Sequence, residues 1–148
     1  GEILTAGLRH IPDDSWLGRR MKVALDIVSG TNDPLETYDA LHTKLWTPKH
    51  SVAAEAIPQM YALLKLADGD FRKGLVMSAN FGRDADTICA LVTSISAARC
   101  GMNVFPSEWV EQVRRPSGVC LPFAAESDLV TIGEELAEWA LSHAGVAS

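Results

Sequence analysis

An all-α fold, packed as an irregular multi-helix bundle, is predicted by three observations. Apolar residues recur at three- and four-residue intervals along most of the chain. Proline, glycine and aspartate punctuate these runs where helices start and stop. No segment alternates apolar and polar residues as a half-buried strand would. At 148 residues the chain can bury a real core, and it reads as a single helical domain over 1–148. The helices differ too much in length for a simple up-down bundle.

Each element has its own signal. Residues 1–9 read as the end of a helix, stopped by Ile11-Pro12. Asp13-Asp14-Ser15 supplies acceptors for a new N-terminus. The helix that follows carries Leu17, Met21, Leu25 and Val28 on one face and ends at Ser29-Gly30. Asp33-Pro34 starts the next, with proline at the first helical position. Its apolar set is Leu35, Tyr38, Leu41 and Leu45, and Thr47-Pro48 breaks it. Ser51 is the candidate cap of another helix, in which Pro58 should produce a kink or open a second segment. Met60, Leu63, Leu64 and Ala67 continue that face. After a turn at Asp68-Gly69-Asp70, the run Phe71, Leu75, Val76, Met77 leads to the Asn80–Arg83 loop.

From about Asp84 to Arg99 the sequence predicts a central helix. It is uncharged from Thr87 to Ala98, with Ile88, Leu91, Val92 and Ile95 on one face. Ala85, Cys89, Thr93 and Ser96 line much of the other. Small or apolar residues all round mark a buried helix. Gly101 ends it. Pro106 leads a short helix through Trp109 and Val113, and residues 116–122 are irregular. A last helix over 127–143 carries Leu129, Ile132, Leu136, Trp139 and Ala140.

Composition excludes several classes. The net charge is −6 and no basic cluster appears, Arg114-Arg115 being only a pair, so no nucleic-acid partner is expected. No run approaches the roughly 20 apolar residues of a membrane span, and no secretory leader pattern opens the sequence. A cytoplasmic protein is the expectation. Cys89, Cys100 and Cys120 fit no disulfide framework or zinc spacing and read as reduced, buried thiols. His10, His42, His50 and His143 lie too far apart for a local metal signature. The four tryptophans, Trp16, Trp46, Trp109 and Trp139, read as packing at the core or its edge. Glu134, Glu135 and Glu138 read as a solvated helix face, and His50 as an exposed loop residue.

The most informative stretch is Asn80-Phe81-Gly82-Arg83-Asp84-Ala85-Asp86-Thr87. It sets two carboxylates and a hydroxyl within four residues after a glycine turn. Oxygen donors that close suit a hard divalent cation. On spacing alone, Asp84, Asp86 and Thr87 read as a capped helix start before a metal site, because their oxygens can satisfy free N–H groups and complement the helix dipole. Carboxylates at the mouth of a buried helix are costly unless something offsets their charge, and a cation would do so.

This stretch resembles the C-terminal signature of the ADP-ribosylglycohydrolase family. Its setting is similar too: Ala56-Ile57-Pro58-Gln59-Met60-Tyr61 upstream, Asp68-Gly69-Asp70-Phe71 between, and Gly101 with Phe105-Pro106-Ser107-Glu108-Trp109 downstream. The resemblance is best over about 53–113. It implies an all-α fold and hydrolysis of the glycosidic bond joining ADP-ribose to a protein side chain or a small acceptor. It also implies a pair of Mg2+ or Mn2+ ions bound by Asp84, Asp86 and Thr87, with Asp86 bridging. The family's remaining ligands, a Thr-Asp-Asp motif, and its acidic catalyst have no counterpart here. The chain therefore resembles the C-terminal half of a larger domain, with a missing N-terminal half as partner. It contains no catalytic residue and would be inactive alone, with apolar surface left exposed. A truncated or degenerate relative with a structural or binding role, as in the family's crystallins, is one alternative. A hydrolase of another N-riboside is the other. Arg83 stands where glycine is common in the family; it could reach a pyrophosphate or form a salt bridge.

Overall fold

The computed structural model describes residues 2–31 and 33–144. Gly1, part of the first helix expected from the sequence, lies outside them. Every regular element among the described residues is helical, as the sequence predicts. They fall into two compact units, Gly1–Val104 and Phe105–Ser148.

The first unit contains α1 (Glu2–Leu8), α2 (Trp16–Gly30), α3 (Pro34–Lys44), α4 (Ala53–Ala67), α5 (Phe71–Ala79) and α6 (Ala85–Cys100). Local chemistry sets the starts of α2, α3 and α5. Ser15 caps α2 by accepting from the Gly18 N–H at 2.9 Å. Asp33 caps α3 through the N–H of Leu35 at 2.8 Å, with Pro34 at the first helical position. Asp70 caps α5 through the N–H of Lys73 at 2.6 Å. These side chains take orphan donors that a helix cannot satisfy internally.

The hub of the unit is α4, which packs against α2, α5 and α6. It buries ten of its fifteen residues, whereas α6 buries only Ile88, Val92 and Ser96. The expectation of a central α6 is therefore corrected. Leu91 and Ile95 pack against the core from the margin of that face, and Ala90, Ser94 and Ala98 are exposed. Lack of charge permits burial but does not compel it, because short side chains lose little when left in water. Small residues do bring α5 close to α6. A Cβ added at Gly74 would stand 2.9 Å from Val92 Cγ1.

Pro58 lies inside a single α4 rather than opening a second segment. Proline has no N–H, so the carbonyl four residues earlier, at Ala54, loses its intrahelical donor. Arg20 of α2 supplies one, donating from Nε to Ala54 O at 2.6 Å. Ser51 does not cap α4. The N-cap is Val52, with no side-chain cap bond.

The second unit holds α7 (Ser107–Val113) and α8 (Leu129–His143). Asp128 caps α8 through the N–H groups of Val130 and Thr131 and also takes two hydrogen bonds from Arg114. Leu129, Ile132, Leu136 and Trp139 of α8 are all exposed, as are Glu134, Glu135 and Glu138. Among the described residues no helix is long and apolar enough to cross a membrane.

Candidate metal-binding loop

The chain leaves α5 at Asn80 and turns into α6 through two residues of positive φ, Gly82 at +85° and Arg83 at +57°. Glycine takes that conformation freely, whereas a residue with a Cβ does so only when its surroundings impose it. Phe81, just before the turn, is buried. Its ring lies 5.1 Å edge-on from Tyr38 and 4.3 Å from the His42 ring, both on α3. Tyr38 also donates its hydroxyl to Met77 O at 2.7 Å, tying α3 to α5.

Asp84 follows the turn as the N-cap residue of α6 and is only 6% exposed. It occupies the capping position, yet its side chain accepts no capping hydrogen bond. Asp86 and Thr87 lie in the first turn of α6 and are exposed. One carboxylate is thus held at the edge of the core, and a second carboxylate and a hydroxyl are exposed. Among the described residues, no three His, Cys, Asp or Glu side chains gather as a metal site.

Beside this loop is an ion pair that sequence patterning missed. Glu55 of α4 is fully buried and meets Arg83 with both oxygens: Arg83 Nε donates to Oε1 at 2.6 Å and its terminal nitrogen to Oε2 at 3.0 Å. Thr47 adds its N–H and its hydroxyl to Oε2, each at 2.6 Å, and its carbonyl accepts from Arg83 at 2.7 Å. Burial alone would raise the Glu55 carboxyl. The hydrogen bonds from Arg83 and Thr47, with the guanidinium charge, outweigh it and hold the group below its ordinary value of 4.5. The hydrogen bond to Glu55 in turn raises Arg83. Of the two roles open to Arg83, the salt bridge is the one observed. The available signal was Glu55 itself, a lone carboxylate in the apolar run 53–64.

The tryptophans differ from expectation. Trp16 and Trp46 are 51% and 57% exposed and line an open groove of about 470 Å³ with Arg20, Pro48 and Val52. Arg20 lies over the Trp16 ring and Arg83 over the Trp46 ring, both at 5.8 Å. Cation–π contact of this kind holds an indole at the surface that burial alone would have drawn inward. Trp139 is also exposed, and Trp109 is half-buried. The thiols are free, but Cys100 and Cys120 are exposed rather than buried, and Cys89 is half-buried. His50 is exposed as expected. A cavity of about 690 Å³ opens at the far end of α6, walled by Leu64, Lys65, Ile95, Ser96 and Arg99, away from Asp84.

The profile of the ADP-ribosylglycohydrolase family matches residues 1–144. The uncharacterized protein YegU of Escherichia coli strain K12 is 32% identical over 87 residues, which are 59% of this chain and 25% of that protein. The chain thus spans about a quarter of the length of the curated relative it matches. No solved structure matches it.

Proposed function

Because the chain belongs to the ADP-ribosylglycohydrolase family, we propose that it forms part of the active site of a metal-dependent hydrolase. The bond cleaved is the glycosidic bond from ADP-ribose to a protein side chain or small acceptor. The observation that carries this reading is Asp84: a carboxylate withdrawn into the edge of the core, at a capping position, that does not cap. A capping aspartate gains a backbone N–H, as Asp70 does. Asp84 forgoes that bond while still bearing the cost of partial burial, and a cation would offset that cost.

The donor set fits hard divalent ions. Two carboxylates and a hydroxyl, with no thiolate or imidazole among them, suit Mg2+ or Mn2+. In this reading Asp84, Asp86 and Thr87 hold the ions from one side, and water and groups outside residues 1–148 complete the shell. The bound ions would stabilise negative charge and orient the ribose. Asp84 fixes the depth of the site because it is anchored where α6 begins. Asp86 and Thr87, exposed on the first turn, face incoming groups. Residues 1–148 carry no assigned acid or base, and the proton transfers fall to groups elsewhere.

The test is calorimetric Mn2+ titration together with an ADP-ribose release assay on the intact protein, comparing wild type with Asp86→Asn. Asparagine keeps the shape and removes the charge. Loss of both metal binding and turnover, with an unchanged circular dichroism spectrum, supports the reading. Unchanged affinity and turnover would remove its central residue. Metal binding without turnover on any ADP-ribose conjugate would favour a noncatalytic member of the family.

A further inference from the structure

We infer that Glu55 and Arg83 form a latch that positions the metal-binding loop, and that Glu55 is a positioning residue rather than a ligand or a base. The inference rests on reading Asp84, Asp86 and Thr87 as metal donors. Both Glu55 oxygens are engaged, one by Arg83 Nε and the other by Arg83 and two Thr47 donors. A fully buried carboxylate with that many partners has no free face for a cation or a proton.

What the pair does is hold the α6 side of the turn. A Cβ added at Gly82 would meet no atom within 4 Å beyond its chain neighbours, so the Cβ side of the apex is open. Arg83 is in the left-handed region, a conformation that persists only where several contacts over-determine it. The anchors lie on either side of the apex. Phe81 is gripped by Tyr38 and His42 of α3. Arg83 is gripped by Glu55 of α4 and by the carbonyl of Thr47. Asp84 is the next residue, so the direction in which it enters α6 follows from the Arg83 anchor.

The pair also acts through charge. An unpaired guanidinium one residue from Asp84 would repel a cation bound there. Glu55 neutralises it in place. It follows that Arg83 is not a free cation for an anionic ligand, despite its exposure.

Three variants separate the latch from the backbone shape: Glu55→Gln, Arg83→Gly, and the two combined. Glycine accepts a φ of +57° without strain, so Arg83→Gly removes the grip and keeps the turn allowed. Combining it with Glu55→Gln avoids leaving a buried, unpaired carboxylate. In metal-free protein, amide exchange at residues 84–87 should accelerate in the double variant by on the order of tenfold, with that at 60–66 of α4 unchanged. A merely structural loss would accelerate both segments. Mn2+ affinity should fall by about 10- to 100-fold, the range seen when groups behind metal ligands are removed. If the double variant does not fold, Arg83→Lys gives the same readout, since an ammonium cannot make the forked contact. Unchanged exchange at 84–87 would overturn the latch. Faster exchange there in a protein whose wild type binds no Mn2+ would uphold the latch and refute only the metal reading.

Discussion

Asp70 and Asp84 stand at the same position on successive helices and do different work. The Asp70 side chain accepts the Lys73 N–H, and the Asp84 side chain accepts no capping bond from α6. Asp70→Ala should therefore cost about 1 kcal/mol, the usual worth of an N-cap. Asp84→Ala should leave the thermal midpoint unchanged or raise it, because a partly buried carboxylate without a capping bond is removed. Thermal unfolding followed by circular dichroism checks both, and a large loss for Asp84→Ala would mean that the residue is structural. Glu55 makes a second prediction at this scale. Its folded value lies below its ordinary 4.5, so the ion pair's contribution is complete above that value and is lost as pH falls through the lower, folded one. Urea midpoints should drop as pH is lowered below about 4.5, and Glu55→Gln should show a smaller drop over the same window. Equal pH slopes for the two proteins would show that the pair contributes nothing.

At the scale of the element, α4 is the informative case. Its interior proline reads in sequence as a kink or the start of a second segment, yet one helix runs through it, and Arg20 of α2 donates to the carbonyl that Pro58 leaves unpaired. That is a bond between helices substituting for one within a helix. Arg20→Ala should cost about 1–3 kcal/mol, since it strands a backbone acceptor. Pro58→Ala restores the missing N–H, so the same arginine truncation should cost less in that background. A double-mutant cycle by urea denaturation measures the difference. Strict additivity would show that Arg20 and Pro58 are uncoupled. The other helices are less conditional. The starts of α2, α3 and α5 were legible as Ser15, Asp33-Pro34 and Asp70, because a cap is a contact within three residues. The start of α4 was misread as Ser51, because Glu55, at the third helical position, turns back to Thr47 and Arg83 instead.

For the whole molecule, apolar exposure is the dominant fact. Leu35 of α3 is 75% exposed, and α8 leaves Leu129, Ile132, Leu136 and Trp139 uncovered along one face. Exposed apolar surface of that extent favours association. Sedimentation velocity should show concentration-dependent self-association of the 148-residue chain, reduced by Leu136→Glu and Trp139→Glu. A monomer at all concentrations, before any substitution, would mean that this face is tolerated in water.

The sequence by itself determined the all-α class, the approximate span of each helix, the family, and the residues offered as metal donors. All of these depend on patterns within a few residues: apolar spacing, caps, proline and glycine breaks, and one short motif. The tertiary structure alone decided that α4 rather than α6 is the hub, that Trp16 and Trp46 stay at the surface, and that Arg83 is spent on Glu55. Glu55 and Arg83 are 28 residues apart in the chain, and Arg20 and Ala54 are 34 apart. No local spacing encodes such a pairing. A buried charge announces that it needs a partner, and only the packing of α2, α4 and the loop before α6 determines which partner comes within 3 Å.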